Sequence, residues 1–177
     1  KINFIKTGSL SGKFSNEIFN FAINKKNSKI LYVPSTVRSN YTIAKSVQDP
    51  LRQYTIQKKI INFLGKYSKK NSFISLPILD SNYSFNNFPL NYYSKINELN
   101  KLYGSFKNNL LKLKPKTILF DNFSTPVFES VPTNCKIIIF MDPLNLPEID
   151  VLNKLKKRAY IINNLDNFET KLILSIA

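Results

Sequence analysis

The chain has 177 residues, 43% of them hydrophobic, which is enough for one globular core and makes a single domain the default. It holds no His and one Cys, which removes imidazole acid–base chemistry, Ser-His and Cys-His nucleophile pairs, most zinc sites and any disulfide within the chain; a general base of its own must come from 11 carboxylates or, less readily, from Lys or Tyr. The net charge of +15 is uneven: residues 1–116 carry 20 Lys/Arg against 4 Asp/Glu, residues 117–177 only 6 against 7.

A basic half suits an anionic partner: nucleic acid, acidic lipid headgroups or a phosphorylated small molecule. An Asn/Lys/Ile-rich composition also accompanies AT-rich coding and raises Lys content without any binding role. No apolar run approaches the roughly 20 residues of a membrane span, and the N-terminus lacks the regions of a signal peptide, so a soluble, cytoplasmic chain is expected. It begins without Met and stops at Ala177 inside an amphipathic pattern, the expectation being a piece of a longer polypeptide.

In chain order, residues 1–6 read as a short strand closed by Thr7-Gly8-Ser9, and residues 15–23 as a short helix. Lys29-Ile30-Leu31-Tyr32-Val33 has the form of a buried parallel strand. The loop after it is rich in hydroxyls and carries one Arg. Ser35, Thr36 and Arg38 make it a candidate phosphate site, but with no Gly it is not a P-loop, and a plain polar loop is the alternative. Asp49-Pro50 marks a helix start, Leu51, Tyr54, Ile60, Ile61 and Leu64 recur at helical spacing, and Gly65 is placed to end the helix. Arg52, in the first turn, is a candidate ligand contact.

Residues 72–78 read as a strand, followed by an aromatic and Asn-rich loop over residues 80–91. Helical periodicity then runs from Tyr92 to Leu113 through Leu99, Tyr103, Phe106 and Leu110, with a break at Gly104-Ser105 and a second, shorter helix from Ser105. An apolar strand over residues 117–120 ends at Asp121. Ser124-Thr125-Pro126 has the composition of a helix start, and Glu129 shares the face of Thr125. Such an arrangement suits a sugar diol on the carboxylate with a phosphate near the hydroxyls; an ordinary capped strand–helix connection is the alternative.

Residues 136–141 form a buried strand ended by Asp142-Pro143, with Cys135 ahead of it as a buried small residue rather than a nucleophile. A helix opened by Pro147-Glu148-Ile149-Asp150 ends in Lys156-Lys157-Arg158, matching the macrodipole at both ends. Residues 159–162 are a last strand. Asp166 and Glu169 form a capping box for a final helix with Phe168, Leu172, Ile173 and Ile176 on its inner face. Alternating strands and helices, with strands apolar throughout, mean an α/β domain: a Rossmann-like, mostly parallel sheet with helices on both faces, spanning residues 1–177. The loops after Val33, Ile78, Phe120 and Met141 then share one edge.

Residues 118–177 resemble the C-terminal, donor-nucleotide-binding half of two-domain (GT-B) glycosyltransferases, specifically bacterial surface and capsular carbohydrate transferases related to CDP-glycerol glycerophosphotransferases. The resemblance rests on Asp121, Ser124, Thr125 and Glu129, on the strand to Met141 with Asp142-Pro143, and on the run from Lys156 to Ile162; the segment from Lys29 to Gly65, with Gln57-Lys58-Lys59-Ile60, is similar to the domain's beginning. The family's Lys-x-His-Pro has no counterpart, the corresponding strand reading Ile74-Ser75-Leu76-Pro77.

The resemblance implies a transferase of surface polysaccharide biosynthesis whose partners are a nucleotide diphosphate-activated donor and a carbohydrate or lipid-linked acceptor, with no cofactor or metal and no nucleic acid. Ser124 and Thr125 would serve the donor phosphate or ribose, Glu129 the ribose diol, and Ser35, Thr36, Arg38 and Arg52 the diphosphate. Asp121 would join them or orient the turn by accepting loop N–H bonds. Catalytic groups are expected on an N-terminal acceptor domain, so none is assigned here. The domain would be cytoplasmic, or peripheral to the inner face of an anionic membrane. A basic nucleic-acid-binding module and a noncatalytic membrane-peripheral interaction domain are the rival readings.

Overall fold

The computed structural model describes residues 28–35, 50–76, 97–143, 146–163 and 166–176. The strand and helix expected in residues 1–23, the positions Thr36 and Arg38, and the aromatic loop of residues 80–91 lie outside them. Among the described residues, six strands form one sheet with every neighbouring pair parallel. They are β1 (Ile30–Val33), β2 (Ser72–Leu76), β3 (Asn100–Tyr103), β4 (Thr117–Phe120), β5 (Lys136–Phe140) and β6 (Ala159–Ile162), in the order β3-β2-β1-β4-β5-β6. The helices are α1 (Pro50–Ser68), α2 (Phe106–Leu113), α3 (Thr125–Ser130), α4 (Ile149–Lys156) and α5 (Phe168–Ile176).

The Rossmann-like α/β fold follows from strands that are apolar on both sides. Alternate residues of β1 divide between two cores. Ile30 and Tyr32 pack with Leu119, Ile138 and Phe140 beneath α1 and α5 on one face. Leu31 and Val33 pack with Ile118, Phe120, Ile137 and Ile139 beneath α2, α3 and α4 on the other. A parallel strand buried on both faces needs this continuous apolarity, because crossover helices cover both sides of the sheet. Each fully buried Leu or Ile contributes about 1.5–3 kcal/mol.

Helix ends follow local chemistry. Ser105 caps α2 by accepting from the Asn108 N–H at 3.3 Å, and Lys114 closes it in the left-handed region at φ 50°. Arg158 clamps the chain before β5 to the chain before β6, donating to the carbonyls of Val131, Thr133 and Cys135. Burial lowers its guanidinium from the ordinary value while the neighbouring Cys135 raises it. Cys135 is itself buried in the core, with its thiol pushed up by burial.

Three expectations are corrected. Residues 100–103, read as helix, form the strand β3, which ends at Gly104 with φ 131°. Gly65 does not end α1, which continues to Ser68. A Cβ at position 65 would lie 2.9 Å from the Glu98 Cβ, so this glycine is required by close packing against the chain entering β3. Ile173 is exposed on α5, whose buried positions are Phe168, Leu172, Ser175 and Ile176. Phe168, Leu172, Ser175 and Ile176 stand at i, i+4, i+7 and i+8 on one face, and Ile173, about 100° round from Leu172, falls outside it.

Candidate functional site

The strand order reverses direction between β1 and β4: the chain proceeds outward from β1 to β2 and β3, and outward on the other side from β4 to β5 and β6. In open parallel sheets this switch point leaves a crevice above the carboxyl ends of the two central strands, because their following loops depart to opposite sides. Val33 pairs with Phe120, so Pro34-Ser35 and Asp121-Asn122 leave the sheet side by side.

A polar network forms the floor of that crevice. Asp121 is fully buried, and its carboxylate accepts from the Tyr32 hydroxyl, the Ser35 backbone N–H and Gln57 Nε2, each at 2.7 Å. Gln57 Nε2 also donates to the Ser35 carbonyl at 2.9 Å, and Gln53 Nε2 donates to the Ser35 hydroxyl oxygen at 2.7 Å. Burial pushes the Asp121 carboxyl above its ordinary range, against the hydrogen bonds from Tyr32, Ser35 and Gln57 that pull it down. Gln53 Oε1 is buried and has no hydrogen-bond partner among the described residues, at a cost of about 1–3 kcal/mol unless something supplies a donor.

Next to this floor, Arg52 Nε approaches Asp142 Oδ2 to 2.6 Å, although the N–H is not aligned for a hydrogen bond. The pair ties the first turns of α1 to the end of β5. Asp142 is 3% exposed and the Arg52 side chain 40%. Two buried carboxylates thus lie under the crevice, with one guanidinium at its side.

On the other wall, Ser124 occupies the N-cap of α3, where its carbonyl accepts from the Val127 N–H at 2.9 Å but its hydroxyl makes no capping hydrogen bond. Thr125 is exposed and Glu129 half-buried. Burial raises the Glu129 carboxyl and the charge of Lys107 lowers it, which places the first turn of α2 near this acid. Phe123 and Phe128 meet edge to face at 4.9 Å, with Phe128 exposed. The helix has only six residues and so a short dipole; hydroxyls and the acid, more than a macrodipole, define this wall.

The structure therefore brings Ser35, Arg52, Asp121, Ser124, Thr125 and Glu129 to one edge of the sheet. Asp121 does accept a loop N–H, though from the loop after β1 and not from its own turn, where Asn122 Oδ1 accepts from the Phe123 N–H. Ser35 is engaged through its N–H, carbonyl and hydroxyl inside the floor, and Arg52 with Asp142. Tyr32, Gln53, Gln57, Lys107 and Asp142 complete the edge and were not among the sequence candidates. The signal for the glutamines was their spacing: Gln53, Gln57, Ile60 and Leu64 form one stripe, and two amides in the first turns of an otherwise apolar stripe indicate buried polar partners.

Comparison with family models, with curated proteins and with solved structures finds no match to this chain. Among the described residues, no helix is long and apolar enough to cross a membrane.

Proposed function

We propose that the domain binds a nucleotide-activated donor across the β1–β4 crevice, as the donor-binding part of a glycosyl or alditol-phosphate transferase of surface polysaccharide biosynthesis. The observation that carries this reading is the strand order with its switch point, where Ser35 and residues 121–124 leave the sheet together. Ser124 supports it by standing at a helix N-cap with its hydroxyl not used for capping. In this reading Ser124 and Thr125 hold the donor phosphate or ribose and Glu129 accepts from the ribose diol. Arg52 and Lys107 supply positive charge from either side. Asp121 and Ser35 set the shape of the floor. The acceptor, carbohydrate or lipid-linked, would meet the donor from outside this domain, and the protein's part in the chemistry would be positioning and neutralising the leaving diphosphate.

Thermal denaturation against a panel of UDP, CDP, GDP and CMP tests the reading, since a ligand that binds only the folded chain raises its midpoint. At least one diphosphate should raise it, and Glu129→Ala should reduce that shift. No shift with any nucleotide, or one that Glu129→Ala leaves unchanged, refutes the assignment.

A further inference from the structure

Charge separates along the strand axis. At the carboxyl edge, on the side of the crevice, stand Asp121 and Asp142, which follow β4 and β5, and the acids that open α4 and α5, Glu148, Asp150 and Glu169. At the amino edge, where helices end and strands begin, the chain enters β1 through Lys29, β2 through Lys69 and Lys70, β4 through Lys116, β5 at Lys136 and β6 through Lys157 and Arg158. These five strands are consecutive in the sheet, in the order β2-β1-β4-β5-β6, so the basic entries form one rim about 19 Å wide. Helix dipoles explain part of the pattern, since bases favour helix C-termini and acids N-termini. They do not explain Lys29, Lys116 and Lys136, which stand at strand entries. The Lys116 N–H donates to the Lys29 carbonyl at 2.9 Å and the Lys136 N–H to the Lys116 carbonyl at 2.8 Å, so three lysines lie on adjacent strands, where like charges repel. Among the described residues, no carboxylate forms an ion pair with Lys69, Lys70, Lys116, Lys136 or Lys157. Glu98, the acid on this side among the described residues, lies beyond the rim at the β3 end, against Gly65.

We propose that this amino edge is a docking surface for an anionic phospholipid bilayer. The inference is independent of the donor-binding reading, because the crevice belongs to the opposite edge and is directed away from the docked surface. Lys69, Lys70, Lys136 and Lys157 are exposed and Lys116 half-buried. Lysines are point charges on flexible stems, suited to the diffuse negative potential of headgroups. A nucleic acid would draw more on the planar fork of an arginine, and Arg158 is already engaged with the carbonyls of Val131, Thr133 and Cys135. Apolar side chains accompany the charge. Tyr67 is 45% exposed near the end of α1, two residues before Lys69, and Val131, which takes the Arg158 Nε–H on its carbonyl, is 36% exposed. A tyrosine suits the headgroup region and an aliphatic side chain the boundary beneath it. Neither contact serves a phosphate backbone.

Cosedimentation of the chain with vesicles of phosphatidylcholine alone, and of phosphatidylcholine with phosphatidylglycerol, tests the proposal. The chain should bind the anionic vesicles and not the neutral ones, and added salt should release it. Each base held at an anionic surface is worth about fivefold in partitioning, so Lys116→Gln with Lys136→Gln should weaken binding roughly thirtyfold. Lys58→Gln with Lys59→Gln removes the same charge from α1 about 14 Å short of Ser68, beyond a Debye length, and should change it little. No binding to anionic vesicles overturns the proposal, as does binding that both pairs weaken equally, since net charge and not this edge would then be responsible. Binding of a single-stranded RNA under conditions where the anionic vesicles are not bound also overturns it, and would give the rim to nucleic acid. Should the Lys116 and Lys136 variant fail to fold, Lys69→Gln with Lys70→Gln, at exposed positions of the same rim, is read against the α1 pair in the same way.

Discussion

Asp121 is held by opposing effects that make its ionisation a measurable part of stability. Three donors at 2.7 Å favour the carboxylate, yet complete burial outweighs them and raises its pKa above the ordinary 3.8. A carboxyl whose folded pKa is raised binds its proton more tightly in the folded chain than in the unfolded one. The stability it contributes is fully present below 3.8 and is lost as pH rises through the folded-state value. Urea denaturation of wild type and Asp121→Asn across this window should therefore show the deficit of the variant greatest at the acid end and shrinking as pH rises; a deficit that widens with pH contradicts the raised pKa. Asp121→Ala, which strands the Tyr32, Ser35 and Gln57 donors together, should cost about 3 kcal/mol or more at any pH. The aspartate itself was legible in the sequence because it ends an apolar strand. Its partners were not, since Tyr32 reads as one more apolar strand residue, and the glutamines stand out only once the helical stripe is drawn.

Among the elements, α1 and β3 show where local pattern gives way to tertiary contact. Gly65 sits where a helix terminator is expected, and the residue that overrides that expectation is Glu98, 33 positions along the chain, whose Cβ would be 2.9 Å from an added methyl. Gly65→Ala should destabilise by up to about 2 kcal/mol in chemical denaturation: overpacking against backbone-proximal atoms costs about 1–3 kcal/mol, against the roughly 1 kcal/mol that alanine gains in a helix. A net stabilisation would mean that the approach of Glu98 is not a constraint. β3 was hidden for a different reason. It is one of the two edge strands among the described residues, its pattern is half exposed, and Asn100 and Lys101 are poor strand formers. Its neighbours specify it: Gly104 N–H donates to the Leu76 carbonyl at 2.9 Å, and buried Asn109 ties α2 to Ser75 and to the carbonyl of Leu102. By contrast β1, β4, β5 and β6 lie in continuous apolar runs bounded by Pro, Asp or basic residues, and their boundaries fall within a residue of expectation.

At the scale of the molecule, the alternation of strands and helices gave the α/β class, and apolar strands gave a parallel sheet covered on both faces. The position of the candidate site depends on strand order, which no local pattern carries. Only the sheet shows that β1 and β4 are neighbours and that the chain departs from them in opposite directions. That adjacency joins a Ser in one segment to an Asp 86 residues later. Among the described residues, Lys58, Lys59 and Lys66 of α1 are exposed, whereas two carboxylates are buried in the floor. A field of this kind steers anions toward the molecule without defining where they settle.

The most direct measurement is therefore a map of ligand-induced amide chemical-shift changes in the uniformly ¹⁵N-labelled chain, titrated with whichever nucleotide diphosphate of the panel raises the melting midpoint. Changes should concentrate at Ser35, Arg52, Gln53 and residues 122–125, with Lys29, Lys116 and Lys136 at the opposite edge of the sheet unmoved. Changes centred on that opposite edge, or on the lysines of the outer face of α1, would contradict it.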